Sequence, residues 1–332
     1  MKILVTGCAG YIGGTFCYEA LKKGLEVIGI DNFSNSNDKF INYFLKNYSN
    51  NFNFIESDIR NRLQMNEIFN SFKNLECVMH FAALKSVPES EELHDLYWQN
   101  NVEGTENILE LMQITGTKNI IFSSSAAVYG EQETQPINEK AKPNPTSNYA
   151  LTKFESEKRI KKFASNQSIN AVSLRYFNPV ASHQDYVICE DYIKSDNLMS
   201  VILQAATKKI KSLKIYGNDY PTEDGTAKRD FIHINDLIDG HFFALDKIDS
   251  FKNYNEINLG TGIGISVLEM VQTFKKVNNV DFPIEFSARR EGDISINYGQ
   301  VNKAKEVLGW QSNYNLEKMC KDAWEALKNE SQ

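Results

Sequence analysis

Residues 1–31 read MKILVTGCAGYIGGTFCYEALKKGLEVIGID, and this stretch decides the fold. Residues 2–6 are a short apolar run of strand type. Gly7, Gly10 and Gly13 follow at once as G-x-x-G-x-x-G, and a helical pattern runs from Tyr11 to Lys22 until Gly24 stops it. A second apolar run, residues 26–31, ends on Asp31. Strand, glycine turn, helix and strand make a βαβ unit in which the amides at the start of the helix face a pyrophosphate. A glycine turn is also an ordinary tight connection, so the downstream carboxylate matters. Asp31 lies where a carboxylate accepts hydrogen bonds from adenosine ribose hydroxyls; the alternative is that it caps a turn. No arginine or lysine occurs among residues 32–37 to bind a 2′-phosphate, so the pattern favours NAD over NADP.

Outward from this unit, residues 52–57, 77–82, 119–124 and 171–176 read as further strands. Helical patterns cover about 93–112 and 149–164. This alternation predicts an α/β fold, a Rossmann-type doubly wound parallel sheet covered by helices. Residues 1–176, with returning segments near 232–259, are expected to form the NAD-binding domain. Beyond Tyr176 the pattern is broken by Asn178-Pro179, by the polar residues 191–197 and by the turn-rich 217–225. Residues 177–332 are therefore read as a smaller α/β substrate-binding lobe. The Asn- and Lys-rich residues 34–53 read as an exposed, loosely constrained surface.

The chain has 332 residues, 42% of them hydrophobic, enough to bury a full core. Its net charge of -7 is spread without a basic stripe, which argues against nucleic acid and for small-molecule partners. Five cysteines (Cys8, Cys17, Cys77, Cys189, Cys320) form no C-x-x-C pair, and their odd number fits a reducing cytoplasm rather than a disulfide framework. The start of the chain shows no cleavable leader, and no apolar run approaches a membrane span of about 20 residues. His80, His94, His183, His233 and His241 lack metal-ligand spacing and read as structural, so no metal is expected.

Tyr149 and Lys153 form Y-x-x-x-K on a predicted helix, and the spacing of four puts both side chains on one face. An ammonium beside a phenol stabilises phenolate, so Lys153 together with a positive nicotinamide ring is expected to lower the Tyr149 pKa from near 10. The tyrosine then becomes a proton acceptor. The same pair arises by chance on amphipathic helices. Ser123-Ser124-Ser125 supports the chemical reading, because it ends a predicted strand where open α/β sheets place their ligands.

These residues resemble the extended short-chain dehydrogenase/reductase family and, within it, the UDP-galactose 4-epimerases, over nearly the whole chain. The likeness is carried by VTGCAGYIG (5–13), Asp31-Asn32, Asp58-Ile59-Arg60, HFAALK (80–85), NNVEGT (100–105), FSSSAAVYG (122–130), Tyr149 to Lys153 and RYFNPV (175–180). GNDYPTEDGT (217–226), RDFIH (229–233) and RREGD (289–293) extend it through the second half. The resemblance implies that Tyr11, Ile12, Asp31, Asn32, Asp58, Ile59, Phe81, Ala82, Ala83, Lys85, Asn100, Ser123 and Phe177 join the three glycines, Tyr149 and Lys153 around NAD. It implies Ser125, Tyr149 and Lys153 as the catalytic group. Asn178, Asn197, Leu198, Arg229, Arg290, Asp293 and Asn297 would hold a UDP-sugar, with Lys85 reaching the sugar and Lys214, Ile215 and Tyr216 beside the uracil. Arginine suits this task, because a guanidinium makes bidentate contacts with pyrophosphate.

The implied reaction inverts C4 of a UDP-hexose. Tyr149 takes the 4-hydroxyl proton, NAD takes the hydride, and a 4-keto sugar turns over before the hydride returns. Residues 182–196, SHQDYVICEDYIKSD, depart from the family's glycine- and proline-containing loop, and Cys8 and Ala83 stand where glycine is frequent. Two other readings stay open. A dehydratase or decarboxylase of the same family shares the glycine turn and the Tyr-Lys pair, although Ala126-Ala127 after Ser125 lacks the acid-base pair elimination needs. A non-catalytic NAD or UDP-sugar sensor would more often have lost Ser125, Tyr149 or Lys153. The resemblance also implies a homodimer that pairs the helices near Leu93 and Tyr149, with Leu93, Leu96, Tyr97, Leu109 and Met112 as candidate contacts, though these residues also suit an internal core. Finally, Asn297 occupies a position that flanks the hexose in the resembled family. A tyrosine there accompanies restriction to plain hexoses, so the shorter asparagine predicts acceptance of N-acetylhexosamines.

Overall fold

The computed structural model describes every residue except 73, 186, 189, 194, 291, 331 and 332, so Cys189 lies outside the described residues. Strands β1 (Lys2–Thr6), β2 (Glu26–Asp31), β3 (Phe52–Glu56), β4 (Cys77–His80), β5 (Asn119–Ser125) and β6 (Asn170–Tyr176) form where the apolar runs predict them. With Tyr254–Leu259 they make a seven-stranded sheet of order Tyr254–Leu259, β6, β5, β4, β1, β2, β3. β1 pairs in parallel with β2 and β4, β2 with β3, and β4 with β5. The order reverses between β1 and β4, and the crevice at their carboxyl ends is where a doubly wound sheet binds its ligand.

Two expected strands end before their apolar runs do. β3 ends at Glu56 and β4 at His80. Beyond His80 the chain makes one more sheet-like bond, Phe81 N–H to Thr6 O at 3.1 Å, and then passes over Gly7. Helix α1 (Tyr11–Lys22) runs over its predicted span. The span expected at 93–112 is interrupted instead. His94–Tyr97 is α-helical, Trp98–Glu103 widens into a π-helical turn, and Gly104–Thr115 resumes the α-helix. The Asn101 carbonyl accepts the hydroxyls of Thr105 (2.6 Å) and Ser156 (2.9 Å), and such insertions disturb the ladder of a regular helix. Asn148–Gln167 starts on Ser147, whose hydroxyl caps the Ala150 amide at 3.1 Å.

Residues 34–53 are not loosely constrained. Lys39–Asn47 is an amphipathic helix that buries Phe40, Ile41 and Phe44, with Phe44 edge-on to Phe52 at 5.2 Å between centroids. Its polar face accounts for the asparagines and lysines, while three apolar residues at helical spacing anchor it.

Met1–Gly130, Lys142–Arg175 and His241–Ile257 form one compact unit. Its core gathers Leu4, Ile28, Val78, Ile108, Ile120, Phe122 and Ile160 from the sheet and its covering helices. Leu109 and Met112 belong to the same cluster, and Tyr97 is fully buried. These three are therefore unavailable as dimer contacts, a correction to the sequence expectation; Leu93 stays 43% exposed.

Glu131–Ala141, Tyr176–Gly240 and Asn258–Gln332 form a second unit. Its strands are short: Phe231–His233 pairs with Asn178–Val180, Leu213–Tyr216 with Ile284–Ser287, and Lys228–Arg229 with both Ile265–Ser266 and Ile296–Asn297. The helices Leu198–Ala206, Val267–Asn278 and Leu316–Glu330 supply Ile202, Phe274 and Met319 to its own core. Residues 131–141 group here because Ile137 exchanges backbone bonds with Tyr298 (2.9 Å) and Gln300 (2.8 Å). Among the described residues no helix is long and apolar enough to cross a membrane.

Candidate functional site

The glycine turn explains its own composition. Gly7 has φ +73°, and a Cβ there would sit 2.7 Å from the Ala82 nitrogen. A Cβ on Gly13 would run into the Gly7 carbonyl. Gly10 differs: an added Cβ would meet only Gly7 O, at 3.4 Å. Packing within the protein therefore does not demand glycine at position 10, whereas close approach of a diphosphate to the first turn of α1 does. The residues fit a dinucleotide on this ground. Gly10→Val is expected to leave the melting temperature nearly unchanged yet weaken NAD binding by about tenfold or more, measured by titration calorimetry; unaltered affinity would remove Gly10 from the site.

Asp31 holds the turn together. Its carboxylate accepts from Ala9 N (3.0 Å), Phe33 N (2.9 Å) and the Ser36 hydroxyl (2.9 Å). A carboxylate offers about four acceptor positions, so capping and ribose binding are compatible. Asn32 donates to Asp58 at 2.9 Å, and the Arg60 guanidinium on the same carboxylate holds Asp58 well below the usual range. The Phe81 ring lies 5.5 Å from that of Phe16, and Ala82 N donates to the Thr6 hydroxyl at 3.2 Å. Ala83 is half-buried, and Lys85 is exposed. Tyr11 and Ile12 are half-buried at the start of α1. Ile59 goes elsewhere: its side chain joins the core and fills the space a Gly104 Cβ would need. Asn100 is buried in the π-helical turn, donating to Asn101 at 3.0 Å.

The three proposed catalytic residues meet at the end of β5. Tyr149 lies near enough to Ser125 for that hydroxyl to act on its phenol, and the Ser125 hydroxyl accepts from Ala127 N at 3.2 Å. Lys153 is 3% exposed, and its Nζ donates to the Ser123 carbonyl at 2.7 Å. The protein's own groups do not favour the phenolate: burial raises the Tyr149 phenol, and the nearby Ser125 hydroxyl opposes it. Burial likewise pushes Lys153 down to about 7, with Glu157 opposing. Depression of Tyr149 thus does not come from the protein alone, because a buried ammonium is itself destabilised.

Sequence reasoning missed the residues that hold these groups. Asn101 ties Leu84 N (2.8 Å), Leu84 O (3.0 Å) and Thr152 (3.0 Å) together, next to Lys85 and Lys153. His80 bridges Thr6 (2.7 Å) and Thr105 (3.0 Å), and burial takes its pKa down to about 3, so it is neutral. Both lie inside quoted motifs, HFAALK and NNVEGT, which were the available signal.

In the second unit Arg229 donates to Asp293 at 2.6 Å, and Arg290 stacks on Tyr216 with its guanidinium carbon 3.9 Å from the ring centroid. Lys214 is exposed, whereas Ile215 is 1% exposed in the core. Asn178 is exposed, and its amide donates to Asp230 O at 3.0 Å. The Phe177 ring packs where a Gly299 Cβ would stand. Asn197 precedes the Leu198–Ala206 helix, and its side chain donates to Glu190 of the divergent stretch at 2.8 Å. Asp230, unremarked in the sequence, accepts from Thr261 N (2.7 Å), Thr261 Oγ1 (2.7 Å), Gly262 N (3.0 Å) and Gly299 N (3.2 Å), fixing the loops on either side of Arg229.

This arrangement has close counterparts. The chain is 42% identical, over 98% of its length and 96% of the relative's, to a UDP-glucose 4-epimerase of Bacillus subtilis. It superposes with a TM-score of 0.95 and 36% identity on a UDP-glucose-4-epimerase from Stenotrophomonas maltophila solved with bound NAD and formylated UDP-arabinopyranose, covering 100% and 99% of the two chains. The UDP-Glc/GlcNAc 4-epimerase of Campylobacter jejuni is similar at a TM-score of 0.85 and 35% identity, with 99% of both chains covered. Residues 3–260, which carry the glycine turn, Asp31 and the Ser125, Tyr149 and Lys153 cluster, match the model of the NAD-dependent epimerase/dehydratase family, and the chain belongs to that family.

Proposed function

We propose that this protein interconverts UDP-glucose and UDP-galactose by NAD-dependent inversion at C4. The observation that carries the reading is the cluster at the end of β5: the Tyr149 phenol beside Ser125, with the buried Lys153 one helical turn away on the same face. Tyr149, as phenolate, takes the proton of the sugar 4-hydroxyl and later returns it, and Ser125 shares that proton path. Lys153 orients the cluster and favours the phenolate whenever it is charged. Gly7, Gly10, Gly13, Asp31, Asn32 and Asp58 hold NAD, which when bound supplies the hydride acceptor and donor. Arg229 and Arg290 anchor the substrate pyrophosphate, so the hexose can turn while its nucleotide stays. Ala126 and Ala127 follow Ser125 in a single 3-10 turn and offer no acid or base for elimination, which favours epimerisation over dehydration. The deciding experiment supplies UDP-galactose without added NAD and looks for UDP-glucose; no product, or a stable 4-keto sugar, sinks the reading.

The same reading extends to N-acetylhexosamines, on the strength of Asn297, and to a reducing cytoplasm, since Cys8, Cys17, Cys77 and Cys320 are all buried and unpaired in disulfides. It also includes a homodimer. With Tyr97, Leu109 and Met112 internal, its contacts would use Leu93 (43% exposed) and Leu151 (38% exposed) beside their helices. Light scattering at micromolar concentration should give twice the 37.9 kDa chain mass; a monomer refutes the pairing.

A further inference from the structure

Three consecutive serines at the end of β5 each meet a different residue of one helix row. Tyr149, Lys153 and Glu157 are spaced by four along Asn148–Gln167 and share a face. The Tyr149 phenol lies beside Ser125, the Ser123 carbonyl accepts from Lys153, and the Ser124 hydroxyl donates to Glu157 Oε1 at 2.6 Å. The first two contacts belong to the site described above, but the third has no part in it. On its other side Glu157 is forked by Arg175 of β6, Nε to Oε1 at 2.9 Å and Nη2 to Oε2 at 2.6 Å. Arg175 Nη1 also donates to the Tyr129 hydroxyl at 3.1 Å. Both side chains of the ion pair are buried, 3% and 6% exposed. Burying such a pair is expensive, and apolar residues of the same volume often serve stability as well, so its place directly behind Lys153 points to a role in the site.

We infer that Glu157 is a positioning residue: held by Arg175, it locks the serine end of β5 onto the helix row and presents a fixed negative charge to Lys153 one turn away. The consequence for turnover rests on the epimerase reading; the effect on Lys153 does not. Burial works against the Lys153 ammonium, and Glu157 is the charge that opposes it. The other titratable groups around the cluster include His80 of β4, Tyr129, Tyr149, Arg175 and Tyr254 of the edge strand; Glu256 acts on Tyr254, and the carboxylate that acts on Lys153 is Glu157.

The test compares the NAD-loaded wild type with Glu157→Gln, Ser124→Ala and the double variant Glu157→Gln/Arg175→Met. Lys153 is followed by NMR of carbon-13-labelled lysine, its signal assigned by loss in Lys153→Met, and UDP-galactose turnover is recorded against pH. In Glu157→Gln, Lys153 should release its proton about one pH unit lower, a tenfold change in affinity. Its kcat should fall about tenfold or more with KM within about twofold. The double variant, which removes both charges, should return the lysine titration toward the wild-type position. Ser124→Ala should lower kcat severalfold without moving the lysine. An unmoved Lys153 in Glu157→Gln, or turnover that falls only in step with the melting temperature, overturns the inference. If Glu157→Gln does not fold, wild-type turnover in Ser124→Ala overturns it instead. Should the wild type itself leave UDP-galactose unchanged, the epimerase reading fails while the lysine titration still decides the role of Glu157.

Discussion

Tyr149→Phe is expected to lower UDP-galactose turnover by about 10³-fold, equivalent to about 4 kcal/mol of transition-state stabilisation, while keeping the fold and the bound NAD. Only the titrating hydroxyl is removed. The backbone stays anchored, because the Tyr149 amide donates to the Ser90 hydroxyl at 3.1 Å and the helix keeps its Ser147 cap. Ser125 retains the Ala127 amide, so the cost to stability should not exceed about 1 kcal/mol. The pH dependence separates a base from a bystander. Burial holds the Tyr149 phenol above its ordinary value. The phenolate is therefore scarce at neutral pH unless bound cofactor and a charged Lys153 lower it, and wild-type kcat should rise with pH on its acid side. The residual activity of Tyr149→Phe should lack that limb. The measurements are kcat from pH 5 to 10, thermal melting and the absorbance of bound nucleotide. Near-normal turnover in a folded, NAD-loaded variant removes Tyr149 from the role of base.

Asn297→Tyr should shift the ratio of kcat/KM for UDP-N-acetylgalactosamine to that for UDP-galactose down by about 100-fold, within the range a steric change in a pocket produces. Asn297 belongs to the two-residue strand Ile296–Asn297, in parallel register with Arg229. Its carbonyl accepts from Asp230 N at 3.1 Å, and it is half-buried. The origin of its side chain is therefore fixed by the same short sheet that fixes Arg229, a proposed pyrophosphate ligand. The neighbouring Tyr298 ring packs against Gly264, where an added Cβ would lie 3.0 Å from Cδ1. On the proposed reading an asparagine at 297 leaves room for an acetamido group and can donate to it, whereas the bulkier tyrosine would fill that room. Steady-state kinetics with both sugars on both proteins decides the matter. Indifference of the wild type to the acetylated sugar, or a ratio untouched by the substitution, shows that Asn297 is not the gate.

Local sequence determined the sheet, the helix that follows the glycine turn, and the Tyr149 to Lys153 spacing. Apolar runs of strand length, the conformational needs of Gly7 and the four-residue repeat of a helix are all written within a few residues of where they act. The chain of Lys39–Asn47 was misread because its buried face is only three residues wide among asparagines and lysines, and burial of a few side chains outweighs a polar average. What no window of sequence contained was the set of partners brought from afar. Asn101 reaches Leu84 and Thr152, Asp230 gathers Thr261, Gly262 and Gly299, and Arg175 closes on Glu157. The charge states of the site belong to the same class. Sequence spacing made Lys153, together with the nicotinamide ring, the agent that ionises Tyr149, and burial, a property of the packed molecule, raises the phenol and lowers the ammonium together. The identity of the reacting groups is thus local, while their protonation is decided by everything packed around them, because the cost of a buried charge depends on the surrounding dielectric and on partners that only the tertiary fold supplies.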